Sequence, residues 1–246
     1  MFLAVDIGNT NINFGLFKGG MLVRKFTIAT KAYSIVFLRR VLGGAGVEDC
    51  LICSVVPKAT AFMARDLKAL RIRSYIIGKD ILAPIRNLYR KPSQVGQDRL
   101  VNAYAGVRLY GKPLIVVDFG TAVTFDIISK QGYYLGGMIL PGLQLSLDAL
   151  GERTALLPKI KLAKPVEFIG RDTKCSMLSG VVIGLGALTD DMVSRIKARI
   201  GRPKVVGTGG SIGLMRKYSK KLDRIDADLT LKGIYYIWQK KCKENS

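Results

Sequence analysis

Phe2-Leu-Ala-Val-Asp6-Ile-Gly-Asn-Thr10-Asn-Ile-Asn-Phe-Gly-Leu-Phe17 opens with an apolar run, breaks at an aspartate and a glycine-bearing polar turn, and returns as a second apolar run. The pattern predicts a β-hairpin, with a buried strand from Phe2 to Asp6, a turn at Gly8-Asn-Thr10 and a return strand from Ile12 to Phe17. Nearly the same order recurs in Leu114-Ile-Val-Val-Asp118, Phe-Gly-Thr121 and Val123 to Ile128. The two aspartates stand 112 positions apart in a chain of 246. A period that long points to a duplicated domain, not a short-repeat solenoid. Two similar halves are therefore expected, residues 1–112 and 113–246, with the boundary near Gly111-Lys-Pro113.

Helical periodicity follows the strands in each half, as in an α/β fold. Ala59 to Leu70 places Phe62, Met63, Leu67 and Leu70 on one face, and Gln97 to Leu109 does the same with Leu100, Val101, Tyr104 and Val107. A longer helix is expected from Met177 to about Ile200, and a last one from about Leu229 to Lys241. The short strand Lys204-Val-Val206 leads into the glycine-rich Gly207-Thr-Gly-Gly-Ser211 and then another helix. Met138 to Leu147 reads as core.

Composition narrows the chemistry. The chain is 49% hydrophobic and 23% charged, which suits one or two domains with real cores and excludes disordered or collagen-like sequence. It contains no histidine, so Ser-His-Asp and Cys-His nucleophile systems and His-bearing zinc sites are excluded. A general base must then be Asp, Glu, Lys, Tyr or Cys. The net charge of +21 favours anionic partners without choosing among them. The excess is spread, with 18 basic against 6 acidic residues in 1–112 and 21 against 12 in 113–246. Arg216-Lys-Tyr-Ser-Lys-Lys221 and Lys240-Lys-Cys-Lys243 read as solvated helix faces, so nucleic acid is not the expected partner.

Cys50, Cys53, Cys175 and Cys242 are too few and too irregular for a disulfide scaffold, which suits a reducing compartment. On an extended strand Cys50 and Cys53 face opposite sides, so they read as buried small hydrophobes and not as half of a metal site. No basic leader precedes the first apolar run, and no uninterrupted apolar run looks long enough to span a bilayer. The expectation is a cytoplasmic protein without a membrane partner.

Two strand-Asp-turn elements and a third glycine-rich turn could surround a nucleoside triphosphate. In the first turn, glycine relieves crowding so that backbone N–H groups can face phosphate, with side-chain donors from Asn9 and Thr10. Asp6 repels phosphate and would act through Mg²⁺, directly or through water. Asp118 and Thr121 offer the same chemistry, one holding a cation and one donating to phosphate, and Gly207 to Gly210 would let adenosine approach the backbone. Either Asp-x-Gly alone is an ordinary turn. Neither GxxxxGK[ST] nor a placed GxGxxG occurs, which excludes a P-loop and a dinucleotide fingerprint. In Tyr89-Arg-Lys-Pro-Ser-Gln-Val-Gly96-Gln-Asp98-Arg99, Asp98 falls in the first turn of a helix. It reads either as a capping residue or as the proton acceptor beside a substrate hydroxyl, with Arg99 keeping it ionised and able to bind an anionic group. Tyr89 reads equally as core. Thr173 reads as a cap ahead of the helix near Met177.

Asp6-Ile-Gly-Asn-Thr10, Gly96-Gln-Asp98-Arg99, Asp118-Phe-Gly-Thr121, Gly136-Gly-Met-Ile-Leu-Pro-Gly142 with Leu145-Ser-Leu-Asp148, Arg153-Thr-Ala-Leu-Leu-Pro158 and Gly170-Arg-Asp-Thr173 occur in that order over nearly the whole chain. Together they resemble the type III pantothenate kinases. The resemblance implies an actin/Hsp70/sugar-kinase (ribonuclease H-like) fold of two duplicated α/β domains with an interdomain cleft, and a homodimer. It implies ATP-dependent phosphorylation of pantothenate, the first step towards coenzyme A, with Mg²⁺ and a monovalent cation, K⁺ or NH₄⁺. It places the phosphate motif on Asp6, Ile7, Gly8, Asn9, Thr10, Asn11, Ile12 and Asn13, and the general base on Asp98. Pantothenate contacts fall on Tyr89, Gly96, Gln97, Asp98, Arg99 and Thr173. The monovalent-cation ligand falls on Asp118, and a further ATP contact on Thr121. Relatives carry a basic or hydroxyl side chain near position 13, where this chain has asparagine. Two rival readings are a nucleic-acid-binding or transcriptional accessory protein on the same fold, motivated by the charge, and a kinase of the same fold acting on a sugar or polyol.

Overall fold

The computed structural model describes residues 1–244. They divide into two units, one built from Met1–Arg108 together with the C-terminal helix, the other from Leu109–Asp228. In the first, β1 (Phe2–Ile7), β2 (Asn11–Lys18), β3 (Met21–Ala29), β4 (Asp49–Ser54) and β5 (Arg73–Ile76) form a sheet in the order β3-β2-β1-β4-β5. The hairpin partners of β1 and β2 run antiparallel, and β4 and β5 join in parallel. Helices α1 (Ile35–Leu42), α2 (Pro57–Ala69) and α3 (Gln97–Tyr110) occupy the connections.

The second unit repeats this plan. β6 (Leu114–Phe119), β7 (Ala122–Ile128), β8 (Tyr134–Pro141), β9 (Lys204–Thr208) and β10 (Arg224–Ile225) form a sheet in the order β10-β9-β6-β7-β8. That is the first order read from the other edge, with the same parallel and antiparallel senses. Its helices are α4 (Leu143–Arg153), α5 (Thr173–Ile200) and α6 (Ile212–Met215). Asp6 and Asp118 are each the fifth residue of a six-residue opening strand, and both strands bury four residues, half-expose the aspartate and bury the last. The repeated motif thus marks a repeated topology.

Strand alternation sorts each core. On β1, Leu3, Val5 and Ile7 face a cluster with Phe14, Leu38 and Met63, while Phe2 and Ala4 face one with Phe17, Leu51 and Val101. Asp6 therefore lies on the Phe2 face. Cys50 and Cys53 are fully buried and fall into opposite clusters, as strand periodicity predicts.

The last helix, α7 (Leu229–Glu244), departs from the expected division at residues 112 and 113. Leu231, Ile234 and Ile237 join the Phe2 cluster of the first unit. Tyr235 stacks on Phe17 with ring centroids 4.5 Å apart, and Trp238 stacks on Phe2 at 5.4 Å. These contacts explain where the helix goes, because they bury its apolar face against the first unit.

α5 begins at Thr173, four residues earlier than the periodicity suggests, because Asp172 caps it by accepting a 2.7 Å hydrogen bond from Cys175 N–H. Among the described residues it is the one helix long and apolar enough to cross a membrane by length and composition. Its apolar sequence is nevertheless interrupted, by Ser179 and by Asp190 and Asp191 among others, so no uninterrupted apolar run reaches that length, as expected. Its stripe of Met177, Leu178, Val182, Val193 and Ile196 is buried in the cores of its own unit, as in a core helix.

Candidate functional site

The loop after β1 is held from both sides. Gly8 N–H donates to Asn11 O at 2.9 Å, closing the turn; Thr30 Oγ1 donates to Gly8 O at 2.7 Å, and Thr30 N–H donates to Thr10 O at 2.9 Å. Asn9, Thr10 and Asn11 are left at the surface, in position to present donors. Ile7 and Ile12, by contrast, are fully buried register partners. Their side chains belong to the core, so any phosphate contact at those two positions is restricted to backbone. Thr30 carries no recognisable motif, and sequence reasoning missed it.

Asp6 pairs in register with Asn13 on β2 and with Cys53 on β4. Asn13 Nδ2 donates to Asp6 Oδ2 at 3.2 Å, and Thr27 Oγ1 donates to Asn13 Oδ1 at 2.9 Å. Desolvation pushes the Asp6 carboxyl up to about 7, the Asn13 hydrogen bond pulls it down, and the charge of Asp98 adds to the rise. The two carboxylates thus lie near enough to oppose each other's ionisation. Burial, with Asp6 and Asp98 nearby, also pushes the Cys53 thiol well up, so this cysteine is a neutral side chain beside both acids.

Asp98 enters from the first turn of α3. Its carboxylate folds back over Gly96, where a Cβ would lie 2.4 Å from Oδ1, so any side chain at 96 would displace it. Arg99 N–H donates to the same oxygen at 2.9 Å. Desolvation raises the Asp98 carboxyl above its ordinary range, and the Arg99 N–H and guanidinium offset part of that rise. The arginine is itself only 7% exposed, so it serves the carboxylate from within the fold and offers little surface to an anion. Gln97 packs over Gly78. Tyr89 is half-buried on the segment leading to α3, and its N–H donates to Asn87 Oδ1 at 2.9 Å.

In the second unit the turn Asp118-Phe-Gly-Thr121 is clamped by two others. Ser211 N–H donates to Phe119 O and Gly142 N–H to Thr121 O, each at 3.0 Å. Gly209, at φ +94°, lies against Asp118 and Phe119. Of the glycines expected to admit adenosine, Gly207 packs against Ile212 and Leu222, Gly209 is taken up by Asp118, and Gly210 alone borders open space. Thr121 is exposed. Thr173 is exposed as the first residue of α5, and Asp172, not Thr173, is the cap. Of the Met138–Leu147 stretch, Leu143 and Leu147 are core but Ile139 is 65% exposed, because the segment changes from strand to helix at Pro141-Gly142 and the period changes with it.

The first unit therefore brings Asp6, Asn13, Cys53 and Asp98 together, and the second joins Asp118, Thr121, Gly142 and Gly209. The sequence profile described as type III pantothenate kinase matches residues 2–195. The chain belongs to the type III pantothenate kinase family. The family's protein from Agathobacter rectalis is 38% identical over 98% of both chains, and that from Geotalea daltonii 36% identical over 98% of both. Among solved structures, a Campylobacter jejuni protein placed in the Baf family of transcriptional activators superposes with a TM-score of 0.61 at 21% identity, covering 98% of each chain. The activator of 2-hydroxyisocaproyl-CoA dehydratase from Clostridium difficile, with bound ADPNP, gives 0.55 at 13% identity, covering all of this chain and 97% of that one. At such identities these two likenesses speak for the fold alone, which is the duplicated actin/Hsp70/sugar-kinase type.

Proposed function

We propose that this chain transfers the γ-phosphoryl group of ATP to the primary hydroxyl of pantothenate, the committed entry to coenzyme A, in the cytoplasm. Family membership supports the reaction class, and one observation carries the mechanism. Asp98 is a partly buried carboxylate with a raised affinity for protons, held in place by Gly96 and Arg99 N–H. In a chain without histidine such a group is suited to accept the hydroxyl proton as oxygen attacks the γ-phosphorus in line. The proton moves from the alcohol to Asp98 as the new O–P bond forms and the bond to the ADP oxygen breaks. In a loose transition state that transfer comes late, so the acid need not be strongly basic. Tyr89, Gly96, Gln97 and Thr173 would bind and orient pantothenate, with Arg99 acting through Asp98; backbone N–H groups along residues 7 to 13, the side chains of Asn9, Thr10 and Asn11, and Thr121 would bind the phosphates.

The donor set suits Mg²⁺. Among the described residues no group of three or more acids, cysteines or histidines gathers around one point. An ion that keeps several waters and takes one or two carboxylates plus substrate phosphate needs no such cage. Asp6 would hold it, directly or through water, and Mg²⁺ there would offset negative charge on the phosphate oxygens. Asp118 would hold the monovalent cation, K⁺ or NH₄⁺. A homodimer is part of the same proposal, supported by the exposed Ile139, Leu145, Leu156, Phe168 and Ile169 of β8, α4 and the loop that follows.

The decisive experiment is Asp98→Asn with pantothenate and a panel of small sugars in an ADP-release assay. The variant should lower kcat on the order of 10²- to 10⁴-fold while ATP still binds, as for loss of a general base. Near-normal turnover would remove Asp98 from the role, and a preference for a sugar would replace the substrate.

A further inference from the structure

Asp6, Asn13 and Thr27 stand in one line across β1, β2 and β3, each in register with the next. The hydrogen bonds along the line run in one direction. Thr27 donates its hydroxyl to the Asn13 carbonyl oxygen at 2.9 Å, and the Asn13 amide donates to Asp6 Oδ2 at 3.2 Å. Turning the Asn13 amide over would set its oxygen against the carboxylate, so an ionised Asp6 permits this orientation only. With its amide nitrogen on Asp6 and its oxygen under Thr27, the Asn13 side chain is committed within the sheet. That is a different task from the phosphate contact expected of it.

We infer that Asn13, oriented by Thr27, is a positioning residue that fixes the Asp6 carboxylate by one oxygen and leaves Oδ1 as the oxygen presented to the cation. The inference rests on the proposed role of Asp6. Its physical basis is that partners behind a metal-holding carboxylate set its orientation, and their loss weakens the metal without touching it. Asparagine is well chosen for the place. A lysine would neutralise the acid it serves, and a hydroxyl has a shorter reach than the amide.

The test uses Asn13→Ala, Thr27→Val and Thr27→Ser in the full chain. Mn²⁺ affinity is read by electron paramagnetic resonance with the β,γ-imido analogue of ATP present, beside the Mg²⁺ dependence of kcat and the KM for pantothenate. Asn13→Ala should weaken Mn²⁺ and raise half-saturating Mg²⁺ on the order of 10-fold with the KM for pantothenate unchanged. Thr27→Val, at an exposed position that folding tolerates, should shift both in the same direction by less. Thr27→Ser, which keeps the hydroxyl, should restore them. Because the two act in series, the Asn13→Ala/Thr27→Val double variant should match Asn13→Ala alone. Unchanged Mn²⁺ affinity in Asn13→Ala, or additive effects in the double variant, overturns the inference. Asp6→Asn separates it from its premise: if that change also leaves Mn²⁺ untouched, the role of Asp6 itself is wrong.

Discussion

The carboxylate of Asp118 fills the space that a side chain would need at Gly209: a Cβ there would lie 2.3 Å from Asp118 Oδ1 and 2.6 Å from the Phe119 carbonyl carbon. Position 209 also sits at φ +94°, a conformation that costs other residues about 1 to 3 kcal/mol. Gly209→Ala should therefore destabilise the second unit by at least that amount and push Asp118 out of place. Urea unfolding gives the first quantity. A K⁺ titration of kcat gives the second, and a variant with native midpoint and native K⁺ response would contradict both.

Burial gives the Asp6 carboxylate a stability cost that varies with pH. Its carboxyl titrates at about 7 in the fold against 3.8 for the free group. Between those values the folded state holds a proton that the unfolded state has released, so stability falls as pH rises from about 4 to 7 and then levels off. Asp6→Asn removes the charge but keeps an oxygen for the Asn13 amide. Measured in chelator, the variant should match the parent near pH 4 and exceed it above pH 7, by up to about 4 kcal/mol, while losing activity. Parallel stability profiles for the two proteins would show that the carboxyl is not buried at this cost.

The docking of α7 is tested by Ile234→Ala. Ile234 is fully buried against the Phe2 and Val101 cluster, and truncating it should cost about 2 to 5 kcal/mol. Protection of the β1 and β4 amides from hydrogen exchange should fall with it. If only the residues of 109–228 lost protection, the helix would have been assigned to the wrong unit.

Thiol labelling should distinguish four cysteines by burial. Cys242 is exposed and Cys175 half-exposed, whereas Cys50 and Cys53 are fully buried with their thiols pushed far above the ordinary range. A maleimide at pH 7.5 should modify Cys242 first and reach Cys50 and Cys53 only at the rate of unfolding. Rapid native-state labelling of Cys53 would mean that the floor beside Asp6 and Asp98 is open.

The two hairpins were legible because each packs an apolar strand, an acid and a turn into a few adjacent positions, and adjacency is what a sequence displays. Asp98 was legible for the same reason, since Gly96 and Arg99, the residues that shape it, are its neighbours. Asn13 was visible as an oddity but not as a partner, because its work depends on Thr27, fourteen positions away and joined only by sheet register. Gly209 and Asp118 meet across 91 positions, and α7 docks more than 220 positions from the strand it covers. Periodicity can announce that a helix has a buried face without saying which sheet receives it. The helix expected after Ser211 is α6, but the edge strands β5 and β10 were unread for a simpler reason: four and two residues carry too little pattern.

Because α7 completes the first unit from beyond residues 109–228, that unit is discontinuous in the chain while the second is one unbroken stretch. The second unit can therefore gather its contacts without any segment from outside 109–228. The first unit must bring Leu231 to Phe2 across nearly the whole sequence, so the loop closure it requires is the longer one. A chain truncated before residue 229 should accordingly keep the second unit folded while exposing Phe2 and Phe17 of the first.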